Sequence, residues 1–138
     1  MTKNIRDVMT SNPTGIESSS PVAEAAQLMK AQDIGSVPIL ESGRLVGMLT
    51  DRDIVVRVVA EGKDPQSTTA GDIASRDVIT IDPQQELDEA LRLMAQHQVR
   101  RLPVVEEDGR LVGILAQADV ASEGDDTSTG QMVEQISQ

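Results

Sequence analysis

Thr50 and Asp53 stand three residues apart where an apolar, strand-like run, Arg44-Leu45-Val46-Gly47-Met48-Leu49, gives way to helical spacing at Ile54, Val55, Val58 and Val59. A hydroxyl and a carboxylate delivered to a helix start could hold an anion or a sugar hydroxyl, because backbone N–H groups there lack partners and the helix dipole is positive. The same two residues also fit an acidic capping box, in which the side chains satisfy only the helix's own N–H groups. Taken alone, they leave both readings open.

Other candidate chemistry is sparse. The single histidine, His97, closes a helical pattern, where a polar residue suits the C-terminal dipole, and no Ser or Cys constellation accompanies it. Asp51 and Asp53 could suggest Mg²⁺, but acids are favoured at a helix start anyway, so no metal is expected. With no Cys there is no thiolate nucleophile, disulfide framework or Cys-based zinc site. Catalysis is therefore not expected.

Twenty-three acidic against twelve basic residues give a net charge of −11, which repels a phosphate backbone and argues against nucleic acid as partner. Phe, Tyr and Trp are absent, so any bound base must lie between aliphatic side chains. Neither a signal-peptide pattern nor an apolar run of membrane-spanning length is present, so a soluble, cytoplasmic protein without membrane association is expected.

The elements that must position Thr50 and Asp53 occur twice. Ala25-Ala26-Gln27-Leu28-Met29 faces Ala90-Leu91-Arg92-Leu93-Met94, Val37-Pro38-Ile39 faces Leu102-Pro103-Val104, and Gly43 to Leu49 faces Gly109 to Leu115. Each half reads as a short helical turn, a short strand (Thr14 to Ile16; Val78 to Ile81) and an amphipathic helix. A hairpin and a last helix follow. The helix stripes are Val22, Ala25, Ala26 and Met29, then Leu87, Ala90, Leu91 and Met94. Pro38 suggests an edge strand or a gap in the hydrogen-bond ladder. The predicted domains are residues 5–62 and 70–121, with a polar connector at 63–69 and a polar tail at 122–138. In that tail Met132, Val133 and Ile136 could form one amphipathic turn. In the second copy Ala116 replaces Thr50 while Asp119 matches Asp53. A cap lost to Ala costs about 1 kcal/mol, which predicts a shorter or frayed last helix and a poorer site there.

Two copies of hydrophobic-Pro-hydrophobic followed by Gly-hydrophobic-hydrophobic-x-x-x-Asp-hydrophobic resemble a pair of cystathionine beta-synthase (CBS) domains, from about Ile5 to Val120. The segment His97-Gln98-Val99-Arg100-Arg101-Leu102-Pro103-Val104 is also typical of that family. The resemblance implies an α/β (α+β) fold of two β-α-β-β-α repeats related by pseudo-twofold symmetry, together one Bateman module. It also implies a stand-alone regulatory protein that binds an adenosine-containing ligand: AMP, ADP, ATP or S-adenosylmethionine. No obligatory cofactor is implied. By the resemblance Asp53 would bind ribose hydroxyls and Thr50 ribose or phosphate. Thr14, Gly15, Ile16, Ser36, Val37 and Pro38 would enclose the base, and Arg100 or Arg101 would supply a cation. A weaker second site would use Ile79, Thr80, Ile81, Leu102, Pro103 and Asp119. A homodimer through helix faces is implied, with a further protein partner open. The alternative is a structural or interaction module with vestigial clefts.

Overall fold

The hairpins form where the sequence places turn residues between apolar runs. Ser42 and Gly43 take φ of 54° and 82°, the pair of positive values that matches a two-residue turn to the twist of its strands. In this computed structural model, which describes residues 4–123, the described chain forms two compact units, residues 14–78 and residues 4–13 with 79–123.

In the unit of residues 14–78, β2 (Ile16–Glu17), β3 (Ser36–Glu41) and β4 (Arg44–Thr50) form one sheet in that order, β2 parallel and β4 antiparallel to β3. Helix α2 (Val22–Gln32) buries Val22, Ala25 and Met29 against Val37, Ile39 and Leu49 of the sheet. It ends at Asp33, whose φ of 54° is the left-handed cap conformation, two residues before Gly35. The first amides of α2 are capped by the connector: Val22 N–H donates to Thr68 O at 2.9 Å and Ala23 N–H to Pro65 O at 3.0 Å. The last helix is wound in two ways. It starts as α3 (Asp51–Ile54) and continues as a π-helical turn, Val55–Val59.

The other unit repeats this plan with β5 (Arg101–Val105), β6 (Leu111–Ala116), α5 (Leu87–His97) and α6 (Gln117–Glu123). Ala90, Leu91 and Met94 of α5 pack with Leu102, Val104 and Leu115. The expected strand at Val78 to Ile81 is reduced to one bridged residue, Ile81, beside Val104. Expectations for residues 124–138, including the Met132, Val133 and Ile136 turn, lie outside the described residues.

The compact units are not the sequence repeats. The lead-in of the first repeat, α1 (Ile5–Val8) and β1 (Thr10–Ser11), lies in the unit of the second hairpin, with β1 antiparallel to β6. The lead-in of the second repeat, α4 (Ala70–Ile73) and Ser75, lies in the unit of the first hairpin, where Ser75 and Met48 exchange both backbone bonds at 2.9 Å. The amides that start these short helices bind equivalent loops. Ile5 and Arg6 donate to Gln85 O and Pro83 O, and Ala70 and Gly71 to Ser20 O and Ser18 O. This exchange also explains the strand prolines. Pro38 sits in a central strand and not at an edge, but it faces Met48, whose bonds run outward to Ser75, so no bond to β4 is lost. Pro103 faces Ile114, which pairs outward with Thr10.

Candidate ligand-binding site

At the end of β4 the sequence supplies a good cap, and the cap is made. Asp53 N–H donates to Thr50 Oγ1, and Thr50 N–H donates to Asp53 Oδ2, both at 3.0 Å, the two bonds of a capping box. The box leaves capacity over. A hydroxyl that accepts one bond keeps its own proton to donate, and Asp53 Oδ1 makes no hydrogen bond among the described residues. A half-buried donor and a half-buried acceptor are thus held in fixed rotamers at one corner. The capping and ligand readings of the sequence are compatible, since the box holds the pair in place without consuming it.

Register brings the remaining expected residues to the same end of the sheet. Ser36 lies directly opposite Thr50, so their side chains share a face. Ile16 runs parallel beside Ile39, which carries Thr14 and Gly15 toward the start of β3. Gly15 packs so closely that a Cβ there would come within 2.7 Å of Leu40 Cδ1 and 3.2 Å of Pro38 O. Ile16, Val37 and Pro38 are buried, so they offer this end backbone more than side chain. Asp51 N–H donates to Gly35 O at 2.9 Å.

The corresponding corner of the other unit differs in chemistry. Ala116 N–H donates to Asp119 Oδ2 at 3.3 Å, which is half of the box, with no hydroxyl to complete it. Opposite Ala116 stands Arg101, and Arg100 O accepts from Gln117 N–H at 2.7 Å. Arg100 and Arg101 are exposed and make no ion pair among the described residues. They belong to this unit, beside Ala116 and Gln117, whereas Thr50 and Asp53 belong to the other. Ile81, Leu102 and Pro103 are buried here, and Ile79 and Thr80 half-buried. Among the described residues no three His, Cys, Asp or Glu side chains gather as a metal site, and no helix is long and apolar enough to cross a membrane.

Sequence reasoning weighed Asp51 only as a metal ligand and passed over its counterpart Gln117. Asp51 lies against Gly35, with Oδ2 3.2 Å from where a Gly35 Cβ would stand, and Gln117 is buried. Aligning the two repeats carries the signal, since Gly35 with Asp51 becomes Arg100 with Gln117.

Comparison with known proteins agrees with this doubled plan, because the CBS domain pattern matches residues 5–60 and 70–126. The chain belongs to the CBS domain family. CBS domain-containing protein YhcV of Bacillus subtilis is 42% identical over 118 residues, 86% of this chain and 83% of YhcV. The crystal structure of hypoxic response protein I with two coordinated zinc ions superposes with a TM-score of 0.81 at 42% identity, covering 89% of this CBS chain and 100% of that one. CBSX2 in complex with AMP gives 0.76 at 25% identity over 87% and 94% of the two chains. The CBS domain pair of MJ0100 in complex with 5′-methylthioadenosine and S-adenosyl-L-methionine gives 0.75 at 27% over 89% and 96%. Relatives that match along most of their length are thus stand-alone CBS-domain proteins.

Proposed function

We propose that this CBS protein is a non-catalytic regulatory module that binds an adenosine-containing ligand and acts through its own dimer or on a partner. One observation carries the reading: the Thr50–Asp53 capping box, which leaves one hydroxyl proton and one carboxylate oxygen unengaged beside Ser36. A ribose diol needs an acceptor for its hydroxyls and a donor for its oxygens, and this corner supplies both. Known CBS structures with AMP, 5′-methylthioadenosine and S-adenosylmethionine support the ligand class. Thr14, Gly15, Ile16, Ser36, Val37 and Pro38 enclose the base in this reading. The second set, Ile79, Thr80, Ile81, Leu102, Pro103 and Asp119, forms a lesser site that lacks the Thr hydroxyl, and Arg100 and Arg101 supply cations for a phosphate.

The dimer rests on the resemblance and on one surface. Val55, Val56 and Val59 are 58%, 45% and 66% exposed on the π-helical turn, an apolar face that a second copy would cover. Calorimetric titration with adenosine, AMP, ATP and S-adenosylmethionine tests the binding site. At least one binds wild type and is lost in Thr50→Ala/Asp53→Ala; binding equal in the two proteins contradicts the site.

A further inference from the structure

The exchanged lead-in helices α1 and α4 sit on equivalent loops but differ in what they send toward the hairpin turns. Aligning the repeats sets Gly71 against Arg6, Ser18 against Pro83 and Glu41 against Glu106. The backbone bonds agree with that alignment, since Gly71 N–H donates to Ser18 O at 2.9 Å where Arg6 N–H donates to Pro83 O at 3.1 Å. In the unit that contains α1, the Arg6 side chain reaches the hairpin: its Nη2 lies 3.4 Å from Glu106 Oε1, and Arg110 Nη2 lies 3.4 Å from Glu106 Oε2. One carboxylate thus takes two guanidinium groups.

In the unit of residues 14–78 the matching position is Gly71, and no guanidinium is supplied. Gly71 runs so close to Ser18 that a Cβ would collide with Ser18 Oγ and stand 3.0 Å from Ser18 O. Beside it lies an open cleft of about 350 Å³, lined by Glu17, Ser18, Ser19, Glu41, Ser42 and Thr69, every one polar and two of them acidic. Neither Glu17 nor Glu41 forms an ion pair among the described residues. Arg44, the partner of Glu41 in strand register, forms none with it either. The cleft is at the turn end of β3 and β4, and Ser36 with Thr50 is at the other end of the same strands.

We propose that this cleft receives an arginine side chain from a basic segment of a partner protein. The other repeat shows the chemistry, because the glutamate at the same hairpin position there holds an arginine supplied by the chain itself. A guanidinium carries several donors in a planar fork suited to carboxylates, whereas the ammonium of lysine is a point charge. Among the lining residues there is no cation to hold the carboxylate of free arginine, so a side chain within a peptide fits better than the amino acid. The net charge of −11 draws a basic partner toward the surface. This binding is independent of the adenosine site.

The test uses the full chain without nucleotide at low ionic strength. It is titrated with a glycine-flanked arginine peptide blocked at both ends, with the corresponding lysine peptide, and with free arginine, while the backbone amide resonances of Ser18, Ser19 and Ser42 are followed. The arginine peptide is expected to shift these amides and to leave those of Glu106 and Gly109 unmoved, since Arg6 already engages that turn. The lysine peptide and free arginine should bind roughly tenfold more weakly, and Glu41→Gln should weaken the arginine peptide by about the same factor. No shift with the arginine peptide, equal affinity for arginine and lysine peptides, or unchanged binding in Glu41→Gln overturns the proposal. Tighter binding of free arginine than of the peptide makes the occupant a metabolite and overturns the partner. With no adenosine present, none of these outcomes bears on the Thr50–Asp53 site.

Discussion

The two strand-to-helix corners share a backbone plan and differ in their side chains. At Thr50 the capping box is complete and the facing residue is a serine; at Ala116 half the box remains and the facing residue is an arginine. The fold needs only the carboxylate, since Asp53 and Asp119 each accept from the amide at the strand end. The hydroxyl and the facing residue are free to vary, and they set the chemistry on offer. Fold and the side-chain chemistry offered at the corner are thus written in different residues of one motif.

The largest contrast concerns the last helices. Val55 and Val59 give the first an exposed apolar face, while Ala121 stands at the position matching Val55 in the second. Val55→Lys/Val59→Lys should convert a dimer to monomer in sedimentation or light scattering, whereas Ala121→Lys should leave the mass unchanged. Retention of a dimer by the double variant would remove this face from the interface.

Next come the strand glycines, Gly47 and Gly113, at matching positions under the exchanged lead-in segments. A Cβ at Gly47 would stand 2.8 Å from Ser75 O, a backbone atom held in a bridge; at Gly113 it would meet the Met9 side chain. Backbone yields less than a flexible thioether. Gly47→Ala should destabilise by about 3 kcal/mol and Gly113→Ala by about 1, read as denaturant midpoints. Equal losses would break the contrast.

Smaller still is the cap. Thr50→Ala should cost about 1 kcal/mol and Ala116→Thr should recover part of that in the other corner. If Ala116→Thr leaves stability unchanged, the second corner does not have the geometry of the first. The smallest effect is at Glu89, whose carboxyl is held below its ordinary value by the hydrogen bond and charge of Arg92 on the solvent-facing side of α5. A lowered folded-state value stabilises above the unfolded value and is lost as pH falls through the folded one. Glu89→Gln should therefore leave the melting midpoint nearly unmoved at pH 7, and any difference should vanish in acid and in high salt.

Much of this was legible in the sequence because it is local. The apolar stripes of α2 and α5, the Ser42-Gly43 turn and the Thr50–Asp53 box each lie within a few residues and follow from spacing alone. The exchange of α1 and α4 between hairpins was not legible. It joins Ile5 to Gln85 and Ala70 to Ser20, contacts between distant segments that leave no period in the chain. The π turn was hidden for another reason: Val55-Val56-Arg57-Val58-Val59 has β-branched valine at every position but Arg57, is weakly helical, and reads the same under either winding. Only Val58 is buried, while Arg57 donates to Ile73 O at 2.6 Å, so the stripe expected at Ile54, Val55, Val58 and Val59 is split. At the site, the Thr50–Asp53 pair was visible in advance, but the pairing of Arg101 with Ala116 required the register.

The most direct measurement uses the absence of aromatic side chains, which leaves the protein nearly transparent between about 250 and 290 nm. Purified protein is saturated with adenosine, desalted, scanned, and heated to release what it holds for identification by mass. The account predicts an absorbance band near 260 nm and released adenosine for wild type, and neither for Asp53→Ala. The same band and the same released nucleoside from Asp53→Ala, or none from either protein, would contradict it.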